Sequence, residues 1–188
     1  VFHDLYTRAF TRNTFSDKLI LQDIHPIELS YGIGGIHSIN SNEQYHSNDE
    51  CVIITSDVAS LYPNLIAQFR AFHDDRILSL YLEKRARRLE VKPNIKKTTG
   101  EEQSKWKTLD AYLKVILNGV SGLLDSTYSW LYTPAPINTL RVYGQLLLSR
   151  LTEECILNNI IVISLNTDGA ELKVAKHQID LYYSIVKQ

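Results

Sequence analysis

The sequence predicts an α+β fold, and three observations predict it. A β-branched run, Cys51-Val52-Ile53-Ile54-Thr55, ends on an acid, Asp57. A second pair of apolar runs, 160–165 and 170–174, flanks the turn formers Asn166-Thr167-Asp168-Gly169 and reads as a hairpin. Between these strand regions lie two long stretches of helical character, 73–91 and 101–124, joined by a segment rich in Pro, Lys, Thr and Gly.

Composition sets the outer limits. The chain has 188 residues, 44% of them hydrophobic and 22% charged, as in an ordinary water-soluble domain with one medium core. There is no run of about 18 apolar residues to span a membrane, and no signal-peptide pattern to mark secretion. Methionine is absent even at position 1, so the chain is expected to be a piece of a longer protein. Cys51 and Cys155 each sit in apolar runs and are expected as free thiols. Net charge is −1, which argues against a generally basic nucleic-acid binder. The charge is uneven, however: from Glu83 to Lys107 there are nine basic residues against four acidic ones.

In chain order, 1–21 mixes aromatic and charged residues and is expected to pack against its surroundings. The segment 27–39 reads as two short strands around Gly32, Gly34 and Gly35, where glycine permits positive φ and close backbone approach. Taken alone it is a plain glycine hairpin. A polar loop, 40–50, precedes the run at Cys51, which is expected to be a buried strand. Asp57 closes that strand, Ser60 stands where it can cap a helix, and Pro63 falls in the first helical turn. By itself Asp57 is an ordinary turn residue. A carboxylate facing the free N–H groups of a helix start can, however, hold a cation and a phosphate together. In 73–91 the basic run is a solvated helix face or a phosphate-binding one, and Pro93 is expected to end the helix. On 101–124, Lys114 and Asn118 are four apart and share a face. The prolines at 134 and 136 read as a linker, followed by a helix to about 158. The segment 177–188 is helical in character.

Asp57-Val58-Ala59-Ser60-Leu61-Tyr62-Pro63 resembles motif A of family B DNA polymerases, D-x-x-S-L-Y-P, at all five defined positions. Lys114 to Gly122 resembles motif B, K-x-x-x-N-S-x-Y-G, at Lys114, Asn118 and Gly122, with Gly119 for Ser and Ser121 for Tyr. Asn166-Thr167-Asp168-Gly169 resembles motif C, D-T-D-S, with Asn166 for the first Asp and Gly169 for Ser. Tyr31 with Gly34 and Gly35 is similar to the Y-x-G-G template-contact element, one residue longer.

The resemblance implies a polymerase palm, an antiparallel sheet backed by helices, with a helical-hairpin fingers insertion. It implies residues 1–50 as a pre-palm segment, 51–72 and 125–188 as palm, and 73–124 as fingers, with exonuclease and thumb domains absent. The implied activity is template-directed DNA synthesis from dNTPs on primer–template DNA, with two Mg²⁺ ions or Mn²⁺ in their place. Two divalent ions about 4 Å apart activate the attacking hydroxyl and steady the leaving pyrophosphate. Asp57, Asp168 and the Val58 carbonyl are the implied metal ligands, and the two acids the catalytic residues. Ser60, Leu61, Tyr62, Arg85 or Arg88, Lys114 and Asn118 are implied to bind the nucleotide, with Tyr62 excluding a 2′-hydroxyl. Tyr31, Gly34, Gly35, Gly122, Asn166 and Thr167 are implied to meet DNA. The short fingers and the altered motif C turn suggest a virus-like or mobile-element relative, working in the host cytoplasm. The alternative is a non-catalytic DNA-binding or scaffold remnant, which Asn166 and the net charge favour.

Overall fold

In the computed structural model, which describes residues 16–18, 27–32, 35–39 and 43–187, the described chain is α+β. Its strands are β1 (Ser16–Lys18), β2 (Leu29–Gly32), β3 (Gly35–Ser38), β4 (Cys51–Asp57), β5 (Ile161–Asn166) and β6 (Gly169–Ala175). Its α-helices are α1 (Leu61–Gln68), α2 (Asp75–Lys97), α3 (Gly100–Asp125), α4 (Pro134–Leu157) and α5 (Ile179–Val186), the last preceded by a 3₁₀ turn at Lys176–Gln178. The chain divides into two units, 1–59 with 141–188, and 60–140. Most of 1–26, with Ile33 and Gly34, lies outside the described residues.

The first unit holds two antiparallel three-stranded sheets, ordered β1-β2-β3 and β4-β6-β5. β4 meets β6 in unbroken register from Cys51↔Ala175 to Asp57↔Gly169. The inner face of this sheet presents Val162, Leu165, Ala170, Leu172 and Val174, in one core with Leu148 and Cys155 of α4 and Tyr182 of α5. Each large aliphatic side chain removed from water there contributes on the order of 1.5–3 kcal/mol. The Cys51 run is not the buried strand expected: Cys51, Val52, Ile54 and Ser56 are only half-buried. Ile53, Thr55 and Asp57 are exposed, because β4 alternates and the helices back just one side of the sheet. Both cysteines are free, and Cys155 is fully buried.

The second unit holds α1, the antiparallel pair α2 and α3, and the first turns of α4. Asp74 starts α2 by accepting from the Arg76 backbone N–H at 2.8 Å. Pro93 does not end α2, which continues to Lys97. Beyond the proline side chains add to the backbone ladder: Thr98 donates to Asn94 O through its N–H at 3.1 Å and its Oγ1 at 2.8 Å, and Gln103 Nε2 donates to Ile95 O at 2.9 Å and to the C-cap Thr98 O at 3.0 Å. The connection shrinks to Thr98 and Thr99, so the hairpin is tighter than the sequence suggests. The prolines at 134 and 136 are likewise not a linker. They occupy the first turn of α4, where a missing N–H leaves nothing unpaired.

Candidate active site

The pairing of β4 with β6 brings the ends that carry Asp57 and Asp168 together. The Val58 N–H donates to the Asp168 carbonyl at 2.7 Å, the first bond beyond the last register pair, Asp57↔Gly169. Thr167 and Asp168 form a two-residue turn, and neither takes positive φ. The Asp57 carboxylate rests over Gly169: a Cβ there would overlap Asp57 Oδ1 and stand 3.0 Å from the Ser56 carbonyl. Both acids are exposed. A depression of about 60 Å³ lies on this open face, lined by Thr55, Asp57, Ser164, Asn166, Gly169, Ala170 and Glu171. Ser164 Oγ donates to Glu171 Oε2 at 3.1 Å, which ties Glu171 to its cross-strand neighbour.

Behind Asp57, Tyr182 Oη donates to Ser56 Oγ at 2.5 Å. Burial, partly offset by this bond, raises the Tyr182 pKa and keeps its proton in place.

The β2–β3 hairpin abuts the Asn166–Gly169 turn. Gly35 has φ +125°, and a Cβ on it would come within 2.8 Å of Thr167 Cγ2 and Oγ1, so glycine is required twice over. Thr167 Oγ1 lies 3.4 Å from His37 Nε2, and Ser38 Oγ accepts from the Leu165 N–H at 3.3 Å. Tyr31 faces inward at 2% exposure, with its hydroxyl 3.0 Å from Ser149 Oγ. Burial raises its pKa. Gly34 lies outside the described residues.

In the second unit, Ser60 occupies the N-cap position of α1 but does not cap it. It adopts φ 56°, ψ 48°, and its Oγ instead accepts from Arg88 Nη1 at 3.2 Å. Leu61 is buried and Tyr62 half-buried. Arg85 donates to Asn64 Oδ1 through Nε at 3.1 Å and Nη2 at 2.6 Å. Arg88 is buried and donates through Nε to Asp110 Oδ1 at 2.9 Å. Lys114, Asn118 and Gly122 form an exposed stripe along α3, and a Cβ at Gly119 or Gly122 would meet open space.

No protein-family model matches the chain, and no curated protein matches it in sequence. The fold is shared with a DNA polymerase. The solved structure of the family B DNA polymerase from the hyperthermophilic archaeon Pyrobaculum calidifontis superposes on 79% of this chain with a TM-score of 0.57 at 16% identity. The matched region is 25% of that polymerase's chain. At this identity the likeness is one of fold.

Among the described residues there is no group of three or more His, Cys, Asp or Glu able to enclose a metal ion, and no helix is long and apolar enough to cross a membrane. Asp57, Asp168 and the Val58 carbonyl offer only oxygen donors at these adjoining strand ends, the donor type that hard divalent cations such as Mg²⁺ take. Sequence reasoning missed Asp110, Tyr182 and the seat of Asp57 on Gly169. Only Asp110 had a signal: Arg88 falls on the buried stripe Leu78, Tyr81, Arg88, Val91 of α2, and a cation on such a stripe needs a partner.

Proposed function

We propose that this chain carries the nucleotidyl-transfer centre of a template-directed DNA polymerase of family B, with the first unit acting as palm and the α2–α3 hairpin as fingers. The observation that supports it most is the β4–β6 junction: the matched acids of two motifs distant in sequence emerge at adjoining strand ends, on a fold shared with such an enzyme. Asp57, Asp168 and the Val58 carbonyl would hold Mg²⁺ or Mn²⁺. When bound, these ions supply charge neutralisation to the triphosphate and acidify the primer 3′-hydroxyl. The backbone N–H groups of Ser60 and Leu61, with Lys114 and Arg85 or Arg88, bind the phosphates. Tyr62 lies against the sugar and excludes a 2′-hydroxyl, and Asn118 lines the nucleotide pocket. The primer oxygen bonds to the α-phosphorus and pyrophosphate leaves, a reaction governed by positioning and charge.

Gly34, Gly35, Gly122, Asn166 and Thr167 meet the template and primer, and Tyr31 anchors the glycine hairpin from beneath. The tight hairpin and the Asn-Thr-Asp-Gly turn favour a viral or mobile-element type acting in the host cytoplasm.

Primer extension with Mg²⁺, using the chain and any longer protein that contains it, tests the proposal. Asp57→Ala and Asp168→Ala should each lower the rate at least about a hundredfold, as for loss of a charge-bearing catalytic group, with DNA binding kept. Equal extension by either variant and the unaltered protein would refute the assignment. A second reading, a non-catalytic DNA-binding remnant, is favoured by Asn166, which puts an amide on the open face where the motif carries an acid. It predicts primer–template binding without extension in Mg²⁺ or Mn²⁺.

A further inference from the structure

Among the described residues, Arg88 is the only charged side chain that is buried, at 8% exposure. Its guanidinium joins three elements of the second unit: Nε donates to Asp110 Oδ1 on α3, and Nη1 donates to Ser60 Oγ at the start of α1. Ser60 is one of three non-glycine residues with positive φ among those described. A side chain with a Cβ enters the left-handed region at a penalty and stays only where its surroundings hold it. The usual device, a hydroxyl turned onto its own helix, is missing here. What holds Ser60 is Arg88, and what keeps a buried Arg88 in place is Asp110, because removing the anion would strand the cation. Arg85, one turn earlier and half-exposed, grips the next turn of α1 differently, through the neutral amide oxygen of Asn64.

The two arginines are therefore unequal. An arriving polyphosphate competes easily with the neutral Asn64 amide for a guanidinium, and poorly with the charged, half-buried Asp110 carboxylate. We propose that Arg88 and Asp110 are positioning residues, a brace that holds Ser60 in its left-handed conformation, and that Arg85 is the arginine free to exchange onto a polyphosphate. The polyphosphate half rests on the nucleotidyl-transfer reading; the brace does not.

Amide exchange at Asn64 reads the brace directly, because the Asn64 N–H donates to the Ser60 carbonyl at 3.0 Å. Asp110→Asn should speed that exchange about tenfold, the scale of one weakened charge-assisted hydrogen bond. In a Ser60→Gly background, where neither strain nor hydroxyl remains, the same change should have less than about a twofold effect. Equal acceleration in both backgrounds, or none in either, overturns the brace. Should Asp110→Asn fail to fold, Arg88→Lys completes the same cycle with Ser60→Gly. Magnesium tripolyphosphate serves as the ligand probe. Arg85→Ala should weaken its binding about tenfold and Arg88→Lys less than about threefold. The reverse order overturns the division of roles. If the unaltered chain does not bind tripolyphosphate, the polyphosphate half falls with the nucleotidyl-transfer reading, while Asn64 exchange still decides the brace.

Discussion

At Gly169 the absence of a Cβ gives the Asp57 carboxylate a seat on the neighbouring strand, and Asn166 stands on the other side of that seat in register with Gly169. The motif C pattern that Asn166–Gly169 resembles has an acid and Ser at these two positions, so the two differences from it fall on one spot of the open face. The Asn166 amide keeps an oxygen and loses a charge. Its own contact to the Asp168 N–H, at 3.5 Å, is too long to matter. Asn166→Asp would add a carboxylate beside Asp57 and Glu171 and strengthen the field for a hard cation. On the proposed nucleotidyl-transfer reading, the Mg²⁺ concentration giving half-maximal extension should then fall about threefold or more. A magnesium titration in which it rises or stays put would show that residue 166 does not face the ion.

At the scale of elements, β4 is held on two sides. β6 fixes its register, and α5 reaches its inner face through the Tyr182–Ser56 bond directly behind Asp57. Tyr182→Phe removes that bond and leaves Ser56 Oγ without its donor. The expected loss is about 1 kcal/mol, seen as a lower urea midpoint with unchanged slope. An unchanged midpoint would mean that α5 supports β4 through packing alone. Secondary structure was legible here wherever the apolar pattern was long: β4, the β5–β6 hairpin and the bodies of α2 and α3. Its ends were not. Pro93 and the prolines at 134 and 136 read as breaks, but each lies inside a helix. The reason is local hydrogen-bond bookkeeping, since Gln103 and Thr98 close α2 beyond Pro93 and the first turn of α4 needs no N–H from its prolines.

At the scale of the molecule, several acidic protons are kept by burial. Burial, followed by the nearby Glu154 carboxylate, pushes the Cys155 thiol from its ordinary value of 9.0 up to about 11. Burial likewise raises Tyr31, Tyr81 and Tyr182. These are groups whose native pKa lies above the unfolded one. Their contribution is complete below the unfolded pKa and is lost as pH rises toward the native value. Stability should therefore be flat to about pH 9 and fall above it, with the Cys155 share gone by about pH 11. Urea midpoints at about pH 8 and about pH 10.5 check this, and Cys155→Ala should make the difference between them smaller. A midpoint that rises between those two values would contradict the sign.

The sequence by itself determined strands β2 to β6, the helical hairpin and the choice of Asp57 and Asp168 as the acids to propose. Those follow from side-chain periodicity and from residue types at fixed short spacing, which act along the chain. Only the tertiary structure decided that Asp57 rests on Gly169, that Tyr31 turns inward to Ser149, and that Arg88 is spent on Asp110 and Ser60. Each of these depends on which backbone approaches which. That is set by β4 pairing with β6 and by α2 packing on α3, long-range contacts for which local pattern carries no coordinate.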